Sequence, residues 1–401
     1  MRSGAIMRPG PDPDGAAPGG LMTDRTPPVT KPLDRKAVQE LLGRAQREID
    51  EGNLPSCQLA LARGGELELF ETLGDATNES RYVVFSCTKA FVAGAMWALI
   101  GDGAIEVRKR VVDYIPEFAS NGKDVITVEQ VMLHTSGFPH APLGPPDWFT
   151  REGRLARFAQ WRLNWEPGTA YEYHATSAHW VLAEIIERVT GTDYRDVVQQ
   201  RVTDPAGLPR VLGIPESDQA GITEFELRGE PPSPDALEAA IGIRELPVGE
   251  VTDETLAMIC RPENRALGVP GGGGVMRASD LALYYQAIMH DDGTIWDPAV
   301  LADATGNVRN TFVDPMMGTP TSRTLGLVTA GDDGLAAVRG FGHATSPRAF
   351  GHGGAVGQIG WGDPVSGLSF GFCTNGDDLD VLRQWRRGVA LSSRAGAAVD
   401  A

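Results

Sequence analysis

The sequence is short of positive charge: 36 lysines and arginines stand against 53 acids among 401 residues, a formal net charge of −17. An excess of that sign and size argues against nucleic acid or an anionic membrane surface as a partner. Long hydrophobic runs are missing too. No stretch reaches the roughly 18 apolar residues that a membrane-spanning helix needs. Cysteine is scarce, and Cys57, Cys87, Cys260 and Cys373 include no C-x-x-C pair. That usage fits free thiols in a reducing cytoplasm better than a disulfide frame or a zinc site. Met1 to Pro32 is rich in Pro, Gly and Asp and lacks the apolar centre of a signal peptide. It reads as a disordered leader, with Met7 and Met22 as later candidate starts. A cytoplasmic location is the expectation.

Against these absences, Ser86-Cys87-Thr88-Lys89 stands at the mouth of an uncharged run, Ala90 to Ile100. A helix hydrophobic on every face is buried. Residues three apart share a helix face, so the Ser86 hydroxyl and the Lys89 amine point the same way. Serine is a common N-cap, but a capping box has Glu or Gln at the third position. Lys89 has no acceptor there and sits at the positive end of the helix dipole. For stability it carries the wrong charge. For nucleophilic catalysis it is useful, since dipole and desolvation both pull the amine's pKa down.

Leu33 to Glu51 reads as an amphipathic helix, with Val38, Leu41, Leu42, Ala45 and Ile49 on one face. The runs Cys57–Ala62 and Glu66–Thr72, joined at Arg63-Gly64-Gly65, read as a β-hairpin. Helices and Pro- and Gly-rich loops fill residues 105 to 265. The clearest helix there is Ser177–Thr190, stopped by Gly191. Residues 211–255 hold eleven acids against Arg228 and Arg244 and read as a solvated surface segment. A helix over Ala278–Met289 follows the four glycines at 271–274. Strand-like text returns at Thr324–Ala330, Gly357–Gly362 and Leu368–Thr374, before a helix near Asp378–Ala390. Strands near both ends with helices between describe one sheet interrupted by a lobe. The expected layout is a sheet domain at 33–104 and 266–392, a helical lobe at 105–265 and a flexible tail at 393–401.

Further segments extend the Ser86 motif. Leu133-His134-Thr135-Ser136-Gly137 comes first, then Tyr173 before the Ser177 helix, then the glycine run and Gly351-His352-Gly353-Gly354. In this order S-x-x-K, L-x-H-T-S-G, tyrosine, G-G-G-G-V and G-H-G-G resemble the serine β-lactamase-like family. Within it they resemble most the branch of class C β-lactamases, D-alanyl-D-alanine peptidases and family VIII carboxylesterases, over residues 35–390. The resemblance implies an α+β fold: a five-stranded antiparallel sheet flanked by helices, plus an all-helical lobe, with the site in the cleft between. It implies that Ser86 is the nucleophile and that Lys89 and Tyr173 form its proton-handling pair, the tyrosine eased toward phenolate by a neighbouring ammonium. His352 stands where relatives carry Lys or His. The backbone N–H groups of Ser86 and Ala355 match the oxyanion hole, with Gly353 and Gly354 letting substrate lie along the strand edge. Neither a metal nor a cofactor is implied.

Other residues have plainer readings. His134 and the Thr135-Ser136-Gly137 turn are structural, Tyr171 is a rival for Tyr173, and Cys87 is a rival nucleophile in principle. The 271–274 glycines lack the Gly-Lys-Ser/Thr ending of a phosphate loop. Trp148 and Phe149, in a Pro-rich loop, are candidates for an apolar substrate wall.

Lactam- and peptide-cleaving relatives carry Tyr-x-Asn, whose amide binds the substrate's amide side chain. Here the third residue is Ala175. A site without that amide loses a partner for amide substrates. The expected function is hydrolysis of a small-molecule carboxylic ester through an acyl-enzyme on Ser86. The alternatives are acyl transfer to a metabolite, β-lactam or D-amino-acid peptide cleavage and, last, a non-catalytic binding or assembly role. The sequence leaves the oligomeric state open.

Overall fold

A computed structural model describes residues 32–246, 249 and 251–399. The leader expected at 1–32 falls outside these residues except for Pro32. Helix α1 (Arg35–Asp50) is followed by strands β1 (Ser56–Arg63), β2 (Glu66–Gly74) and β3 (Tyr82–Val83), then by α2 (Thr88–Gly101). The hairpin turns through Gly64 and Gly65, at φ 62° and 84°, the left-handed pair that a two-residue β-turn requires.

The stretch 105–265, expected to be a helical lobe, contributes α3 (Val128–Met132), α4 (Arg151–Gln160), α5 (Ser177–Thr190), α6 (Tyr194–Val198), β4 (Glu226–Arg228), α7 (Pro234–Ile241), α8 (Asp253–Ile259) and α9 (Pro262–Leu267). It is therefore not all helix: β4 pairs in parallel with a strand of the C-terminal third. That third runs β5 (Val275–Met276), α10 (Ala278–His290), α11 (Pro298–Gly306), β6 (Val328–Thr329), β7 (Phe350–Gly353), β8 (Ile359–Asp363), β9 (Leu368–Thr374), β10 (Gly376–Asp378) and α12 (Val381–Gly396). The partner of β4 is β10.

The main sheet has six strands in the order β2-β1-β9-β8-β7-β6, with every neighbouring pair antiparallel, one more strand than expected. The sixth is two residues long, too short to carry an alternating pattern. Both faces of the sheet are covered, which is why β1 and β9 are almost wholly buried. Leu59, Leu61, Phe370 and Phe372 pack with Leu41 and Ala45 of α1 and Leu391 and Ala395 of α12. Ala60, Ala62 and Cys373 belong to the opposite core, with α2 and α10. Side chains alternate across the sheet with period two, and the small ones lie under α10.

Helix α2 is the centre of that second core, buried from Thr88 to Leu99. Aromatic side chains tie its neighbours to it. Tyr284 Oη donates to Ala90 O at 2.7 Å, Trp296 Nε1 to Gly94 O at 2.8 Å, and Trp97 Nε1 to Leu325 O at 2.8 Å. Each bond satisfies a polar atom that burial would otherwise make costly.

The C-terminal end corrects one expectation. Helix α12 continues to Gly396, and Ala398 and Val399 are buried against the sheet, so 393–399 is packed structure and not a flexible tail. No helix among the described residues is long and apolar enough to cross a membrane.

Helix α10 begins so close to β9 that a Cβ on Gly371 would lie 2.1 Å from Ala278 O and 3.1 Å from Leu281 Cβ. Gly371→Ala is expected to destabilise the fold by about 2 kcal/mol by forcing helix and sheet apart. An unchanged denaturant midpoint would contradict this packing.

Candidate active site

The turn between β3 and α2 presents Ser86. Phe85, just before it, has φ 45°, in the left-handed region that a bulky residue adopts only under constraint. The constraint is visible on both sides. Val84 N donates to Gly274 O at 2.9 Å, while Thr88 Oγ1 donates to Phe85 O at 2.5 Å and accepts from Gly274 N at 2.8 Å. The glycine run thus buttresses the serine turn. A Cβ on Gly274 would meet Thr88 Oγ1 at 2.6 Å, and one on Gly273 would meet Val269 N at 2.5 Å. Helix α2 starts at Thr88 with Cys87 as its N-cap and no side-chain cap bond, so Ser86 lies just outside the helix.

Lys89 is fully buried. Its Nζ lies 2.8 Å from Ala175 O, 2.6 Å from Gly271 O and 3.2 Å from Ser86 Oγ. Burial pushes its pKa well below the usual lysine value, and the nearby Arg323 pushes the same way. A neutral amine has two N–H bonds and one lone pair. Nζ donates to both carbonyls and to Ser86 Oγ; in the neutral form that burial favours, the two carbonyls would take the N–H bonds and leave the lone pair for the Ser86 hydroxyl.

Tyr173 lies with its ring 5.0 Å from Lys89 Nζ. Burial pushes its pKa up, opposed chiefly by the Arg323 charge and then by Ser86. Its hydroxyl makes no well-formed hydrogen bond among the described residues. Burial thus works against the phenolate that a neighbouring positive charge favours. Desolvation favours the neutral form of both groups.

His352 is buried on β7, its Nδ1 2.6 Å from Gly353 O and its ring 6.2 Å from that of Tyr173. Its pKa is pushed well below the usual histidine value by burial and then by Arg323 and Lys89, so it is neutral. With Nδ1–H donating to the carbonyl, Nε2 is an acceptor, and it has no partner among the described residues.

The β7 edge is pinned to the serine turn. Cys87 Sγ donates to His352 O at 3.2 Å, and Gln358 Nε2 reaches Val83 O at 3.3 Å. A Cβ on Gly354 would lie 2.4 Å from Val84 O, so only glycine lets the two backbones approach this closely. Gly353 is exposed at the strand end and has room for a side chain. Ala355 packs with the cluster of Val83, Phe85 and Val356. Ser86, Lys89, Tyr173, His352, Gly353, Gly354 and Ala355 therefore surround one place.

Trp148 and Phe149 do not join them. Trp148 is 1% exposed and packs against Trp180 in the core, while Phe149 is 41% exposed. Cys87 is fully buried and its thiol is pushed up by desolvation, which leaves it a poor nucleophile. Tyr171, the rival to Tyr173, has its hydroxyl occupied by Arg323 Nε at 3.0 Å.

Three site neighbours were not singled out for chemistry from the sequence. His134, at φ 58°, places its ring 4.7 Å from that of Tyr173 and accepts from His174 N through Nδ1 at 3.1 Å. His179 of α5 is buried with neither ring nitrogen bonded among the described residues. Arg323 lies over both tyrosine rings, 5.2 Å from Tyr173 and 5.4 Å from Tyr171. His134 sat in a recognised motif; Arg323 had no sequence signal at all.

A sheet flanked by helices, with a serine held against a buried lysine at the start of α2, defines a serine hydrolase of the β-lactamase/transpeptidase-like fold. The chain belongs to the Beta-lactamase family, which it matches over residues 35–392. It is 30% identical over 145 residues to the esterase/β-lactamase LipL of Mycobacterium tuberculosis, covering 35% of this chain and 33% of that one. It is 28% identical over 203 residues to penicillin-binding protein 4 of Amycolatopsis lactamdurans, covering 46% and 51%. These matches span a third to a half of the relatives' length. The structure of EstA from Arthrobacter nitroguajacolicus superimposes with a TM-score of 0.73 at 25% identity, covering 92% of this chain and 98% of that one.

Two outcomes test the geometry. Gly354→Ala is expected to lower turnover at least about tenfold while the protein stays folded, because the strand edge must shift away from the Ser86 turn. Iodoacetamide treatment of the native protein should leave turnover intact; inactivation through Cys87 would contradict its burial.

Proposed function

We propose that the protein hydrolyses carboxylic esters through an acyl-enzyme on Ser86. The observation that carries this reading is the buried Lys89 amine, its Nζ within hydrogen-bond distance of Ala175 O, Gly271 O and Ser86 Oγ, where burial favours loss of the ammonium proton. Lys89 takes the Ser86 proton as Oγ bonds to the acyl carbon. The backbone N–H groups of Ser86 and Ala355 hold the resulting oxyanion. Tyr173, a neutral phenol between Lys89 and His352, donates its proton to the departing alkoxide and recovers one from Lys89. Water then attacks the acyl carbon, its proton passing back through the same groups, and Ser86 leaves as the hydroxyl.

Preference for esters over amides is supported by Ala175. Its carbonyl is committed to Lys89, and its methyl group offers no hydrogen bond to a substrate amide. The name of LipL couples esterase with β-lactamase, which agrees with an ester-cleaving site on this fold. Four buried free thiols suit a reducing compartment, and we place the protein in the cytoplasm on that ground. Its partner is a small-molecule ester, and the net charge of −17 speaks against nucleic acid or an anionic membrane.

Ser86→Ala should lower p-nitrophenyl ester turnover by about 10⁴-fold or more and abolish fluorophosphonate labelling. Undiminished turnover would sink the proposal. The same assay run beside penicillins and D-alanyl peptides decides the substrate class; lactam or peptide turnover exceeding ester turnover would overturn the inference from Ala175.

The pH profile carries a sign. The base works as the amine, so kcat/KM rises with pH through the Lys89 ionisation and then levels off. Burial lowers that ionisation, so the rise should be complete well below the 10.5 of an ordinary lysine. A rise still in progress near pH 10 would contradict a neutral Lys89.

A further inference from the structure

Arg323 is 8% exposed and forms no ion pair with a carboxylate among the described residues. A buried guanidinium is ordinarily paired. Here its Nε donates to the neutral Tyr171 hydroxyl, and its charged face lies over the rings of Tyr171 and Tyr173. The backbone holds it there. Arg323 N donates to Asn310 O at 3.1 Å, and Asn310 Nδ2 anchors this segment to Leu133 O at 3.0 Å, beside His134.

The groups around it come from several elements: Lys89 on α2, His134 after α3, Tyr171 and Tyr173 before α5, His179 on α5 and His352 on β7. Asp314 is the acid that acts on Tyr171. Burial shifts Lys89 and the three histidines toward their neutral forms. A guanidinium does not deprotonate in proteins. Arg323 therefore keeps its positive charge where burial disfavours charge on its neighbours.

We propose that Arg323 is the fixed cation that tunes the acylation site, a positioning residue acting through Lys89 and Tyr173 and not through contact with substrate. Its charge disfavours a second positive charge on Lys89, which keeps the lone pair available to Ser86. The same charge favours negative charge on the Tyr173 oxygen as the phenol gives up its proton. Both effects run in the direction the reaction needs. The inference rests on the proposed roles of Ser86 and Lys89.

The test is the pH dependence of kcat/KM for a neutral p-nitrophenyl ester, and of fluorophosphonate labelling of Ser86, in the full chain and its Arg323→Gln and Arg323→Lys variants. Removing the cation makes the Lys89 ammonium and the Tyr173 phenol easier to keep. The rising limb should then move to higher pH in Arg323→Gln by about one unit, with activity on the limb falling about tenfold. Arg323→Lys keeps the charge and should restore the wild-type limb. A packing role alone would lower the rate equally at every pH. A limb in Arg323→Gln that coincides with wild type overturns the inference, whatever the plateau rate. Arg323→Met serves the same comparison if the glutamine variant does not fold. Failure of the underlying reading looks different: wild-type protein would not label at Ser86, whereas failure of the Arg323 role leaves labelling normal and the limb unmoved.

Discussion

Burial of the Lys89 amine at the start of an uncharged helix is the constraint around which the site is arranged. An ammonium removed from water is costly, so burial favours the neutral amine. The rest of the site supplies what a neutral amine needs, two carbonyl acceptors and a hydroxyl. Gly271 is part of this, because a Cβ there would lie 3.0 Å from Ala175 O and 3.3 Å from Lys89 Nζ. The carbonyl can approach the amine only from a residue without a side chain.

The same economy of side chains recurs where sheet and turn meet. Gly354 against Val84, Gly274 against Thr88 and Gly371 against Ala278 are all close approaches of backbone to a neighbouring element. They bring β7, the serine turn and α10 into the spacing the site requires. The strained backbone at Phe85 is held by bonds on both sides, and it sets the serine outside its helix instead of on it. A side chain ahead of the first helical turn is free to face the cleft while its lysine remains in the core.

Much of this was legible in the sequence. The lone apolar helix, its wrongly charged third position and the i, i+3 spacing identified Ser86 and Lys89 and the direction of the lysine's shift. The helix Ser177–Thr190 and the strand Leu368–Thr374 lie where their patterns end, at Gly191 and after a fully buried run. Strand β7 was harder, since Phe350-Gly351-His352-Gly353 has little intrinsic strand preference and is a strand because its neighbours pair with it. The end of α12 was missed because its last turn is marked by alanines and serines, whose burial depends on the sheet beneath them. Trp148 reads first as core and only second as a binding wall, and its burial against Trp180 places it in the core.

The sequence by itself determined the buried helix behind Ser86, the buried position of Lys89 beside it and much of the helix–strand order, because these depend on local periodicity and on residue chemistry. The tertiary structure decided which charges surround the site. Arg323 lies 150 residues from Tyr173 in the chain, and no local pattern links them. Its charge acts through space, across a few ångströms of low-dielectric interior, so its effect exists only once the fold has brought the two together.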